Sequence, residues 1–153
     1  MYTIDADRSL VTLRVYRAGR LAKLGHNHVI TSGTEAGYVW SNGELAGSGF
    51  EVRMPVDALV VDDPAARADA GADFPGELPD AAREGTRRNM LRPEVLDSER
   101  HPEIVVRAES LQGTWERPVV ATEVTIKDRV RAIEVPLTVA RKTDAVTASG
   151  AFR

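Results

Sequence analysis

At residues 9–16 the chain reads SLVTLRVY, with Val11, Leu13 and Val15 on one side and Thr12 and Arg14 on the other. Apolar residues at every second position predict a half-buried strand. The same period returns at residues 45–54, where Phe50, Val52 and Met54 oppose Glu51 and Arg53. It returns again where Ile104, Val106 and Ala108 oppose Arg107 and Glu109, with Val105 as the exception. Val120, Thr122, Val124 and Ile126 alternate against Glu123 and Lys127, and Ile133, Val135, Leu137 and Val139 against Glu134 and Thr138. Tyr2-Thr3-Ile4 reads as an opening strand; Val146, Ala148, Gly150 and Phe152 begin a last one.

The joints between these runs are short and polar. Asn42-Gly43 is a hairpin signal, because both central positions of such a turn need positive φ. Lys127-Asp128-Arg129, Lys142-Thr143-Asp144 and the 113–118 segment around Trp115 supply further turns. Strands joined in this way pair antiparallel. The fold class is therefore all-β, one sheet closed on itself or two packed sheets. Residues 17–28 read as a loop or short helical turn. Residues 29–40 read as one extended run with Gly33 and Gly37 as bends, and residues 55–61 continue extended.

One passage departs from this pattern. Residues 62–84, DDPAARADAGADFPGELPDAARE, are rich in Ala, Asp, Pro and Gly. They predict a solvated surface excursion ending in a helix near Asp80, with Asp80 as N-cap and Glu84 in the first turns. Helix formers continue to Leu91, and Pro93, Asp97 and Ser98 break the run into turns. His101-Pro102 then enforces an extended start for the next strand.

Composition narrows the function. The 153 residues are 42% hydrophobic and 28% charged, with net charge -3. Nucleic acid is excluded as a partner by that balance, and no apolar run is long enough for an integral membrane segment. Cysteine is absent, which removes disulfides, thiolate chemistry and Cys-ligated metals. Met1 runs straight into strand-like sequence, so the expected setting is the cytoplasm or, for a mature exported form, the periplasm. No Gly-x-Ser-x-Gly elbow or phosphate-cradling glycine motif is present, and Ser48 in Gly47-Ser48-Gly49 sits in strand-like sequence. The expectation is a protein that is not an enzyme and uses no cofactor.

Several passages resemble the YceI-like family. These are Tyr2-Thr3-Ile4-Asp5 with Ser9; Arg88, Leu91, Leu96-Asp97 and His101-Pro102-Glu103-Ile104 in that order; Val124-Thr125-Ile126-Lys127-Asp128; and Gly150-Ala151-Phe152. The resemblance spans nearly the whole chain, and the order and spacing of loose motifs carry it. It implies a single domain over residues 1–153, an antiparallel lipocalin-like β-barrel with a helical insertion at residues 62–102 between its halves. It also implies binding of a long apolar molecule, a polyisoprenoid or other lipid, inside the barrel; many members are exported to the bacterial periplasm. Two departures stand out. Asp128 occupies a turn position where the family has glycine, and the family continues past the Gly-x-Phe strand into a final strand, whereas this sequence ends at Arg153. An open edge there favours pairing with a second copy, a homodimer.

A barrel of about eight strands holds either packed side chains or one slender ligand. The candidate lining is Val11, Leu13, Val15, Phe50, Val52, Met54, Val124, Ile126, Val135 and Leu137, although alternating apolar residues are more commonly packed core. Each buried methylene contributes about 0.8 kcal/mol, so a tail of about ten carbons needs no charged partner. By the resemblance, Arg88 with Asn89, Met90 and Leu91 lies near the barrel mouth, where it would meet a polar head group. The alternative is a metal site. His26 and His28 project to one face if Leu24-Gly25-His26-Asn27-His28-Val29 is extended, which suits imidazole ligation. A third ligand would come from His101, Asp62, Asp63 or Glu35.

Overall fold

The computed structural model describes residues 1–20, 25–33 and 36–153. Its elements are β1 (Tyr2–Thr3), β2 (Val11–Val15), β3 (His28–Ser32), β4 (Ala36–Trp40), β5 (Gly49–Pro55), β6 (Val60–Val61), α1 (Pro64–Ala70), α2 (Asp80–Leu91), β7 (Glu103–Gly113), β8 (Pro118–Ile126), β9 (Arg129–Arg141) and β10 (Val146–Gly150). The chain divides into two compact units. The first contains residues 1–4, 36–53 and 103–153; the second contains residues 5–35 and 54–102.

The first unit is a seven-stranded sheet in the order β1-β4-β5-β7-β8-β9-β10. The β7–β8, β8–β9 and β9–β10 pairs are antiparallel, as the polar turns predict. Lys127 adopts φ +60 in the β8–β9 turn, so that tight turn forms without the glycine that usually supplies positive φ. The β4–β5 hairpin differs from expectation. Trp40 faces Gly49 across it, and a 3-10 turn at Leu45–Gly47 occupies part of the connection. Only Gly43 of the Asn42-Gly43 pair has positive φ. The Asn42 Oδ1 instead accepts from the Glu44 N–H at 3.0 Å, a local side-chain turn that competes with the two-residue hairpin.

The second unit holds the three-stranded sheet β2-β3-β6 and both helices. Residues 29–40 are not one strand: β3 joins this sheet and β4 the other. Alternation reports burial of one face but not which strand lies alongside. The 55–61 segment likewise forms a 3-10 turn at Val56–Ala58 before β6. Helix α1 departs from the solvated-excursion reading. Asp63 caps it, its Oδ1 accepting from the N–H groups of Ala65 and Ala66, and Pro64 fills the first turn, where its missing N–H costs nothing. Helix α2 begins at Asp80 with Pro79 as the capping residue.

Val29, Ile30, Val56, Leu59, Val61 and Phe74 are the buried core of the second unit; Ile104, Ala108 and Val120 are buried in the first. Full burial of each large apolar side chain contributes about 1.5–3 kcal/mol. Phe74 is buried against the Tyr16 ring, with centroids 5.4 Å apart. The 17–28 segment and the 29–40 run each include residues outside those described, Leu21 to Leu24 and Thr34 to Glu35 respectively.

Candidate ligand-binding faces and the Asp62 centre

Residues directly opposite in a ladder project to the same side of the sheet. The pairs Val120↔Val135, Thr122↔Ile133 and Ala108↔Thr122 therefore place these side chains on one face. Val106↔Val124 extends that face along β7 and β8, and Val139↔Ala148 with Leu137↔Gly150 extends it to β10. Val124, Ile126, Val135 and Leu137 share it, and so do the exposed Arg131 and Arg129, which stand opposite Val124 and Ile126. Phe50 and Val52 lie on the same side of their strand, because Glu51 and Arg53 engage the opposite face. Arg53 donates to Glu51 at 2.8 Å and to Glu103 at 3.0 Å, and Arg107 pairs with Glu51 at 3.7 Å and Glu109 at 2.9 Å.

The apolar face is closed at Ile104, Ala108 and Val120, which are buried. It stays partly open along β9, where Ile133, Val135, Leu137 and Val139 are half-buried, and at the end of β8, where Ile126 is 40% exposed. Gly150 gives Leu137 its room: a Cβ there would lie 2.6 Å from the Leu137 side chain. On the other side of the sheet, where Val119 faces Pro136 and Thr138 faces Ser149, an open surface depression is lined by these residues and the edge of Leu137.

In the second unit, Val11↔Ser32, Leu13↔Ile30 and Val15↔His28 form the corresponding register. Val11, Leu13 and Val15 thus share a face with Ile30 and His28. Leu13 is 38% and Val15 44% exposed, whereas Ile30 is buried. Met54, at the end of β5, is buried. Arg88, Met90 and Leu91 occupy the last turns of α2; Arg88 is exposed and pairs with Glu84 at 4.0 Å, while Met90 and Leu91 are half-buried.

Behind His28 lies a buried polar centre. Asp62 is fully buried and stands at φ +53 directly after β6. Its Oδ1 accepts from the Val29 N–H at 2.9 Å and from Arg67 Nη1 at 2.6 Å; its Oδ2 meets His28 Nδ1 at 2.6 Å. Burial alone raises the pKa of such a carboxyl, but the hydrogen bonds from His28, Val29 and Arg67 outweigh it and hold Asp62 below the usual carboxylate range. Arg67 is equally buried, and its remaining donors reach the carbonyls of Asn27, Pro75 and Gly76. Asn27 Nδ2 donates in turn to the Asp73 carbonyl at 2.9 Å. The cluster ties the 73–76 segment and α1 to β3.

These contacts bring together two of the residues considered for a metal, His28 and Asp62. Asp63 is taken up as the α1 cap, His26 is exposed in the loop before β3, and His101 is half-buried ahead of β7, its backbone N–H donating to the Asp97 carbonyl. Glu35 lies outside the described residues. Among the described residues no group of at least three His, Asp or Glu side chains is arranged to hold a metal ion. Arg67 was not singled out by the sequence; the available signal was an arginine in an otherwise small-residue helical turn, four residues after the cap.

The model of the YceI-like domain matches residues 2–153. The chain belongs to the YceI-like family. A search of curated proteins gave no match. Among solved structures, the YceI-like chain is similar to the crystal structure of Burkholderia cenocepacia BcnA, with TM-score 0.57 and 13% identity over 92% of this chain and 72% of that one. It is also similar to a mutant CJ YceI protein with a monobromobimane guest structure, with TM-score 0.47 and 7% identity over 92% of this chain and 69% of that one. The BcnA likeness supports the fold alone: a predominantly antiparallel β structure of YceI-like type, as the sequence resemblance implied. No helix among the described residues is long and apolar enough to cross a membrane.

Proposed function

We propose that this YceI-like protein binds and carries a long apolar molecule, a polyisoprenoid or other lipid, without catalysing a reaction on it. The observation that carries the reading is the half-open apolar face of β8 and β9, with Val124, Ile126, Val135 and Leu137 on one side of the sheet. A packed core would close such residues, and the charge on this face is confined to the two ends of β9, at Arg129 and Arg131 opposite Ile126 and Val124 and at Arg141, leaving Ile133, Val135, Leu137 and Val139 uncharged between them. Membership of the family supports the same reading, since lipid binding is what the resemblance implies. Magnitude favours a long ligand. About ten methylenes at ~0.8 kcal/mol each give roughly 8 kcal/mol, within the ~4–15 kcal/mol that association itself costs. Longer chains bind with a surplus.

The test is a Val135→Trp variant titrated with the apolar dye N-phenylnaphthylamine. The reading expects wild type to bind the dye and the variant to keep its stability while losing affinity about tenfold or more, roughly 1.4 kcal/mol. If the face is packed core, wild type leaves the dye free and the variant loses about 1–3 kcal/mol of stability to overpacking.

A periplasmic setting and a homodimer belong to the same proposal. All of β10 is exposed at the end of its sheet, with no charge along it, and an unguarded edge favours pairing with another chain. Fractionation of the native host tests the first. Sedimentation equilibrium tests the second, with twice the chain mass expected and the single chain mass as the contrary result.

A further inference from the structure

Two polar residues share the face of β2 and β3 with Val11, Leu13, Val15 and Ile30: Ser32, whose hydroxyl donates to the Gly33 carbonyl, and His28. The histidine stands opposite Val15, on the side that carries Leu13 and Ile30, and keeps 22% of its side chain exposed while Asp62 behind it keeps none. The bonds at Asp62 determine which imidazole nitrogen carries hydrogen. An ionised carboxylate only accepts, and Arg67 with the Val29 N–H holds Asp62 ionised. Nδ1 therefore donates to Asp62 Oδ2, and in the neutral ring Nε2 is left as a bare acceptor. Among the described residues nothing in the protein bonds to that nitrogen.

The ring is also fixed in place. Its partner is anchored by a backbone N–H and by an arginine that also donates to three carbonyls. A rigid acceptor beside exposed Val15 and Leu13 matches one chemistry: an apolar chain that ends in a hydrogen-donating group. The chain lies on the valine and leucine, and the head donates to Nε2. A head that lost water there without a partner would oppose binding.

We infer that His28 Nε2 anchors the hydroxyl head of an aliphatic ligand, with Asp62 and Arg67 as the positioning residues. This rests on the reading of the protein as a binder of apolar molecules and assigns a head-group class to the β2–β3 face of the second unit taken by itself. The probes are dodecanol and dodecyl methyl ether, which share a chain and differ in the O–H donor. Each is titrated directly into wild type and into His28→Asn by isothermal titration calorimetry. The asparagine amide keeps a donor for Asp62 and removes the distal nitrogen.

Wild type is expected to prefer dodecanol by about fivefold, the worth of one net hydrogen bond. His28→Asn is expected to bind both probes alike, with its affinity for the ether unchanged. A nitrogen NMR measurement on wild type is independent of how the variant folds: dodecanol shifts the His28 Nε2 resonance and the ether does not. Equal affinities with a silent Nε2 overturn the anchor and leave apolar binding standing. Failure of wild type to bind either probe removes the binding function, and the anchor with it.

Discussion

Asp62 and Arg67 are five positions apart, join at 2.6 Å through Oδ1 and Nη1, and are both almost wholly buried. One residue closes a strand and the other lies on the following helix. The pair therefore couples β6 to α1, and through His28 it reaches the apolar face of β2 and β3.

Removing one member strands the other. Asp62→Asn is expected to lower unfolding stability by about 3–5 kcal/mol, the usual cost of leaving a buried charge without its partner. Arg67→Met is expected to cost a similar amount, and the double variant less than the sum of the two. Urea unfolding of the four proteins at neutral pH measures the cycle. Additive losses would mean that the two side chains act independently.

The lowered pKa of Asp62 gives that contribution a defined pH window. Its unfolded-state reference is the ordinary carboxyl value of 3.8, and the folded value lies below it. The stability is thus fully present above the unfolded value and is lost as pH falls through the folded one. Thermal melts of wild type and Asp62→Asn should differ by a constant amount at neutral pH and converge in acid below about pH 4. A gap that stays constant into strong acid would place the charge elsewhere.

Phe74 holds the 71–79 segment from the apolar side, as Arg67 and Asn27 do from the polar side. Phe74→Ala is expected to cost about 3–5 kcal/mol and to raise amide hydrogen exchange at residues 71–76 more than in β7–β9. Uniform acceleration across the chain would show that the segment has no local opening of its own.

Gly49 lies under Trp40 and beside the Ala108 carbonyl. A Cβ there would meet the backbone oxygen and the indole ring, both at 2.3 Å. Gly49→Ala is expected to destabilise by about 1–3 kcal/mol through overpacking, read by denaturant midpoint. A neutral alanine would mean that β5 and β7 can separate at this point.

Much of the first unit was legible because its strands are half-buried. Ile133, Val135, Leu137 and Val139 advertise one face, and the polar Lys127-Asp128 pair between two such runs leaves little choice but an antiparallel turn. The second unit was harder to read. The Asp63-Pro64 pair that starts α1 is a sound cap-and-proline signal, but Ala-, Asp- and Gly-rich sequence around it resembles a solvated loop. Gly33 separates β3 from β4, yet alternation continues on both sides and nothing local assigns them to different sheets. The Asp62 centre joins residues 34 apart in sequence to His28, a relationship set by tertiary packing and the positive φ at Asp62. His28 and Asp62 were both named as candidate metal ligands; the arginine that completes their set was signalled only by its place in a small-residue turn four residues after the cap.

The central claim is that the protein carries a long apolar chain. Native mass spectrometry of the purified protein, paired with mass spectrometry of its organic extract, tests that most directly. The account predicts a long-chain species at one per chain, or an empty protein that takes up added dodecanol at the same ratio. A protein that emerges empty and refuses the alcohol would contradict it.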